Sequence, residues 1–295
     1  MSAKPQKLKD LINAPEILIT PGVYDGFSAR IVEKMGFKTA TISGAGISET
    51  RLGLPDRGIV GLADNVNTCS NLADCTHLLL QADADTGYGN EVNTYYTVRA
   101  FEKAGAAALM IEDQVFPKRC GHMAGKEVIA AEDMVKKVRA AVAARKNPDF
   151  VIKARTDAAG PLGLEEAIRR LNMYAEAGAD CLFADALSSE RDIERVARNV
   201  PKPLSVNMGL GIRSRSTTPL ISPKQLQDLG VAQVSYPRLL SAASIRGMLN
   251  AMTVFKEDLL EKGLVVDRPD LLVSFEDICD LFGLDEVDRL EKSFQ

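Results

Sequence analysis

The residues best equipped for chemistry lie between Leu78 and His122. Two short apolar runs there each end in acids, the first in Asp83 and Asp85, the second in Glu112 and Asp113. A few residues later, Lys118-Arg119-Cys120-Gly121-His122 sets a thiol among potentially cationic groups. A buried strand that ends on carboxylates is costly unless positive charge meets them, and hard divalent cations prefer oxygen ligands. Capping of the helices that follow is the structural alternative for the same acids. Most lone cysteines are small buried hydrophobes, but the segment around Cys120 is too polar for a core. Neighbouring cations lower a thiol's pKa, and Gly121 and Gly125 give such a loop room to move.

Acids from separate strands reach one another only if the fold gathers strand ends. Short apolar runs at 17–20, 39–43, 78–84, 107–112, 150–154, 181–184, 204–207 and 232–236 read as strands. Segments with helical spacing follow most of them, such as Ile31-Met35, Val92-Tyr96-Phe101 and Ala167-Leu171-Tyr174. Gly36, Gly105, Gly178 and Gly230 stand where helices should stop. Eight such units predict an α/β chain folded as a (β/α)8 TIM-type barrel. A doubly wound open sheet is the rival, but no GxGxxG follows the first strand. Polar residues fall at the C-terminal end of every strand: Tyr24 and Asp25, Ser43 and Gly44, Asp83 and Asp85, Glu112 and Asp113, Arg155 to Asp157, Asp185, Asn207, and Arg238. Barrel active sites are assembled at that face. We expect a single domain over 1–295, with the barrel at about 15–240 and a helical extension over 241–295. The extension either covers the barrel's side or exchanges with a neighbouring subunit.

Composition narrows the function. The chain has 295 residues, 46% hydrophobic and 26% charged, with a formal net charge of −4. That balance argues against nucleic acid or a membrane surface as partner, and no run of about 18 apolar residues could span a bilayer. The opening MSAKPQKLKDLINAPE is charged and lacks an apolar h-region, so no secretory signal is expected. Five scattered cysteines suit reduced thiols and a cytoplasmic setting. Cys69 and Cys75 lack the CxxC or histidine company that zinc would need.

The strings SGAG (43–46), LGLPD (52–56), DADTGYG (83–89), IEDQ (111–114), KRCGH (118–122) and ARTD (154–157) stand in unbroken order between Pro21 and Pro237. Together they resemble the isocitrate lyase / phosphoenolpyruvate mutase superfamily, and KRCGH after IEDQ is their most specific piece. Chain length and the form of KRCGH are similar to the methylisocitrate lyase and 2,3-dimethylmalate lyase branch, close also to the carboxyphosphonoenolpyruvate mutases. The resemblance implies a barrel whose C-terminal helix is swapped between subunits, a homotetramer built as a dimer of dimers, and a Mg²⁺-dependent site in which Mn²⁺ could substitute. It implies Asp83 or Asp85 as the direct metal ligand, with Asp56 and Glu112 holding metal-bound waters. It implies a catalytic set of Lys118, Cys120, His122 and Arg155, with Cys120 a proton shuttle on a mobile loop. Substrate contacts are expected from Tyr24, Ser43, Gly44, Ala45, Arg155, Asp185, Asn207, Arg213 and Arg215. On residue chemistry alone, Asp56 is equally a turn acid after Pro55, and Arg155 an internal ion-pair partner.

The implied reaction is cleavage of a 2-hydroxy di- or tricarboxylate to a 2-oxo acid and a second carboxylate. Several positions depart from the lyase branch. Thr41 stands where a tyrosine is common, Asp185 where a glutamate is expected, and no glutamate follows Asn207. Instead, 209–219 carries Arg213 and Arg215 with hydroxyls at 214 and 216–218. That loop is either solvated or binds a further carboxylate or phosphate. A phosphonomutase or an oxaloacetate-type hydrolase on the same scaffold is therefore the alternative enzyme, and a non-catalytic binding relative the third reading.

Overall fold

The computed structural model describes residues 3–121, 123, 125–213 and 218–295. They form two compact units, Met1–Arg238 and Leu239–Gln295. In the first, eight parallel strands close into a barrel in chain order, with β1 completing the ring against β8. The strands are β1 (Leu18–Val23), β2 (Thr39–Ile42), β3 (Leu79–Asp83), β4 (Ala108–Glu112), β5 (Val151–Thr156), β6 (Cys181–Ala184), β7 (Leu204–Asn207) and β8 (Gln233–Tyr236). Strands covered on both faces must be apolar nearly throughout, which is why they read as short hydrophobic runs. Gly36, Gly105, Gly178 and Gly230 all take left-handed backbone, with φ of 83°, 92°, 105° and 90°, and so end their helices.

Many strand boundaries shift by one or two residues, and the end of β1 moves furthest, from 20 to Val23. Pro21-Gly22, which reads as a break, lies inside β1. The ladder to β8 ends at Pro21↔Tyr236 and the ladder to β2 begins at Gly22↔Thr41. The proline's missing N–H therefore falls at the handover, where it interrupts neither ladder.

The barrel interior is layered. At the bottom, Leu8 and Ile12 of the N-terminal helix Lys4–Ile12 pack on Leu18, Leu79, Ala108, Val151 and Cys181. Each of those five opens a strand, so this helix plugs the N-terminal mouth. The next layer is polar: Thr20, Thr39, Gln81, Lys153, Ser205 and Gln233 are all buried and share one hydrogen-bonded network. The third layer is the candidate site.

In the second unit, the helix Leu239–Val254 runs into a wider π-helical stretch, Phe255–Glu261; the helices Phe275–Phe282 and Leu284–Ser293 follow. Ser241 is its one buried residue among those described. Met248, Met252 and Phe275 are 60%, 62% and 73% exposed.

Candidate active site

β3 and β4 deliver the acids. Beyond Asp83 the chain turns sharply: Asp85 takes φ 47°, its amide donates to Asp83 Oδ1 (3.1 Å), and Gly87 N donates to Ala84 O (2.8 Å). Left-handed backbone at a non-glycine residue is uncommon and concentrates at functional sites. Glu112 N donates to Asp85 O (2.9 Å), tying the two strand ends together. These acids do not cap the following helix; Asn90 caps Glu91–Lys103. Asp56 comes from the loop preceding the helix Leu62–Cys75. Lys118 meets both loops, its Nζ 2.6 Å from Asp56 Oδ1 and 3.0 Å from Asp85 Oδ1. Burial works against this ammonium, yet Asp85, Asp56 and Glu112 hold its pKa well above the usual lysine value. Burial raises Asp85 to about 6 against the pull of Lys118. It also pushes Glu112 well up, against Arg155.

A second cluster lies across the barrel mouth. Arg155 forks onto Asp157 (Nε–Oδ2 2.7 Å, Nη2–Oδ1 2.9 Å), reaches Asp185 Oδ2 at 3.0 Å and lies 3.3 Å from Glu112 Oε2. Its guanidinium stacks 5.3 Å from the Phe183 ring centre. Arg155 is thus an internal ion-pair partner, and it also lines the pocket. Asn207 donates to Asp185 Oδ1 at 3.0 Å. Lys126 donates to Asp157 Oδ1 (2.7 Å), Asp185 Oδ2 (3.2 Å) and Gly121 O (2.8 Å). Asp113 turns away from Glu112, because adjacent strand residues face opposite sides. It accepts from Thr156 Oγ1 (2.7 Å), Asp157 N (2.9 Å), Arg170 Nη1 (3.0 Å) and Tyr174 OH (2.7 Å), and so braces the end of β5.

The cysteine loop leaves and rejoins the barrel at an antiparallel bridge between Gln114 and Val128. Gln114 brackets its near side, donating to Arg119 O (2.9 Å) and accepting from Arg119 N (3.0 Å). Cys120 N donates to Asp56 O at 3.2 Å, which joins the loop to the acid cluster. Gly121 presses so closely on Asp185 and Arg155 that a Cβ there would overlap Asp185 Oδ2 and Arg155 Nη2. Only glycine allows this approach.

One pocket gathers Ser43, Ala45, Asp56, Asp83, Lys118, Cys120, Arg155 and Asn207 from the expected set. Gly44 stands beside it, a Cβ there being 3.4 Å from Asp83 Oδ2 and 3.5 Å from Asp85 Oδ1. Asp85, Glu112 and Asp185 sit behind the lining, in ion pairs with Lys118 and Arg155. Tyr24 is not in the lining; its ring backs Gly46 instead. Arg213 is exposed and away from the lining. His122 and Arg215 lie outside the described residues. Lys126 and Lys153 stand outside the expected set, and Asp157 was placed at the end of β5 without a site role. Asp157 and Lys126 could have been suspected from ARTD and from the glycine-bounded loop, but Lys153 precedes ARTD and belongs to none of the motif strings.

The donor chemistry fits a hard divalent cation. Among the described residues the buried oxygen Glu112 Oε1 has no hydrogen-bond partner, and Asp85 Oδ1 is met by the Lys118 ammonium at 3.0 Å. Among the described residues, no three His, Cys, Asp or Glu side chains converge closely enough to enclose a metal by themselves. Mg²⁺ tolerates such a sparse set because it usually keeps several waters.

The phosphoenolpyruvate phosphomutase family model matches residues 8–256. The chain belongs to this family. Within it, the chain is 36% identical to 2,3-dimethylmalate lyase of Eubacterium barkeri, over 98% of this chain and 97% of the relative. It is 39% identical to 2-methylisocitrate lyase of Aeropyrum pernix, over 96% of this chain and 88% of the relative. The crystal structure of a 2,3-dimethylmalate lyase, a PEP mutase/isocitrate lyase superfamily member, superposes with a TM-score of 0.90 at 32% identity, covering 99% of this chain and 96% of that one. The family placement makes the protein an enzyme of this lyase and mutase superfamily, and its closed barrel is the fold those relatives predict.

Proposed function

We propose that the enzyme is a Mg²⁺-dependent carbon–carbon lyase that cleaves a 2-hydroxy di- or tricarboxylate, of the dimethylmalate or methylisocitrate kind, to a 2-oxo acid and a second carboxylate. The observation that carries this reading is a thiol, Cys120, sharing one pocket with paired acids and the Arg155 guanidinium. The similarity to two lyases along nearly the whole chain supports it. Asp83 and Asp85, with Asp56 and Glu112 behind water, are the residues that would hold Mg²⁺. When bound, the metal supplies Lewis-acid polarisation of the substrate's carboxylate and hydroxyl oxygens. Lys118 holds Asp56 and Asp85 in place through its two ion pairs. The Ser43–Ala45 loop receives one substrate carboxylate through the Gly44 and Ala45 amides, since the Ser43 amide donates to Val23 O at 2.8 Å, and Arg155 orients another oxygen, as its planar fork allows.

The substrate hydroxyl gives its proton to solvent and becomes the oxo oxygen as the C–C bond breaks. The bond's electron pair stays on the departing carbon, the Cys120 thiol protonates that carbon, and solvent then returns a proton to sulfur. The loop places the thiol against the pocket and, with Gly121 seated on Arg155, limits access of water. The test is incubation with Mg²⁺ and a panel of dimethylmalate, methylisocitrate, isocitrate, oxaloacetate and phosphonopyruvate, with product identification. A 2-oxo acid formed from a 2-hydroxy acid, lost with EDTA and restored by Mg²⁺ or Mn²⁺, is expected. Turnover of phosphonopyruvate or oxaloacetate alone would refute the lyase assignment.

A further inference from the structure

Four cations line the pocket: Lys118, Lys153, Arg155 and Arg238. Three are already met by carboxylates of the protein. Lys118 pairs with Asp56 and Asp85, Arg155 with Glu112, Asp157 and Asp185, and Arg238 with Glu49 at 3.0 Å. Lys153 is the exception. It is 5% exposed, and among the described residues no carboxylate lies within 4.0 Å of its Nζ. Its three hydrogens go to neutral acceptors: Gln233 Oε1 (2.5 Å), Gln81 Oε1 (3.0 Å) and Ser205 Oγ (3.4 Å). Both amides are locked in that orientation from their far ends, since Gln81 Nε2 donates to Thr39 Oγ1 (3.1 Å) and Gln233 Nε2 to Thr20 Oγ1 (2.8 Å).

A buried ammonium met only by dipoles keeps much of its desolvation cost. Burial accordingly pushes the Lys153 pKa down, opposed by the more distant Cys181 and Asp83. On the same floor, Thr41 Oγ1 is buried and, among the described residues, without a hydrogen-bond partner, next to Gln81 across the β2–β3 ladder. Both residues line the pocket. A fixed cation and an unused hydroxyl, one layer inside the barrel, are the two things an anionic oxygen would need.

We propose that Lys153 and Thr41 form an inward carboxylate subsite, so that the counter-ion of Lys153 is a carboxylate of the substrate. This rests on the lyase reading and deepens it: the selected substrates carry a second carboxylate that extends down into the barrel. The weak Ser205 bond is the one that carboxylate replaces, and Thr41 donates the second hydrogen bond. Lys153 is here a specificity-determining residue, separate from the residues that move protons.

The test compares two probes with the same 2-hydroxy acid head, lactate and malate, which differ by one carboxylate. Dissociation constants are measured by calorimetry on the full chain with Mg²⁺, without need of turnover. Wild-type protein should prefer malate. In Lys153→Met the preference, taken as the ratio of the two constants, should fall by at least about tenfold, the scale of a lost charge-assisted hydrogen bond, and Lys153→Arg should recover part of it. Thr41→Val, which leaves the lysine network intact, should lower the ratio by about threefold. A wild-type protein with no preference for malate overturns the proposal, as does an unchanged ratio in Lys153→Met. Where Lys153→Met does not fold, an unchanged ratio in Thr41→Val overturns it. A wild type that cleaves nothing in the substrate panel refutes the lyase reading, whereas the binding ratio still decides the subsite.

Discussion

Gly121→Ala is the most direct test of how the cysteine loop is seated. The added methyl would overlap Asp185 Oδ2 and Arg155 Nη2. Neither can step aside cheaply. Asp185 is fixed by Arg155, Lys126 and Asn207, and Arg155 by Asp157 and Phe183. The loop must therefore withdraw, by more than about 1 Å, to restore ordinary van der Waals spacing. Cys120 adjoins Gly121 and is tied to Asp56 O through its own amide, so the thiol moves with it. Misplacing a reacting group by about 1 Å costs on the order of 10²-fold in rate. We expect kcat to fall by about that factor, while the melting temperature shifts by no more than a few degrees, since no core side chain is altered. Steady-state kinetics on the cleaved substrate, with thermal unfolding on the same samples, measure both. A wild-type kcat in a folded Gly121→Ala protein would refute the idea that the loop works from this close seat.

Cys120→Ser keeps the side chain's size but removes the better proton donor, so turnover should drop at least about 10²-fold with much less change in substrate affinity; rapid-quench or steady-state kinetics check it. Arg170→Met strips Asp113 of its one cationic partner among the described residues, and breaking a buried pair from one side typically costs about 3–5 kcal/mol. Urea unfolding should show a loss of that order, and a change below about 1 kcal/mol would show that Thr156 and Tyr174 suffice. The exposed apolar side chains of Leu239–Gln295, among them Met248, Met252 and Phe275, should be covered by association. Light scattering at micromolar concentration should therefore give a multiple of 31.9 kDa, and a monomeric mass would refute this.

Much of this protein was legible residue by residue. The alternation of apolar runs with helical spacing is a local property, and eight repeats of it leave few ways to bury every strand other than a closed barrel. Period-two alternation separates Glu112, facing inward, from Asp113, facing the helix that carries Arg170 and Tyr174. The motif strings singled out Asp56, Asp83, Lys118, Cys120 and Arg155, and all of these line one pocket.

What the tertiary structure alone decided is which charge meets which. Lys126 reaches Asp157 and Asp185 across separations of 31 and 59 residues, and Arg155 reaches Asp185 across 30. Coulomb interactions depend on distance in space and on the dielectric around the pair, and neither is written into a local pattern. The polar layer beneath the site was hidden for the same reason. Thr20, Thr39, Gln81, Lys153, Ser205 and Gln233 come from six different strands, and only ring closure turns them into one network. Lys153 in particular is an anomaly when read along its strand. In the barrel it is the pocket's one cation, among the described residues, that no protein carboxylate satisfies.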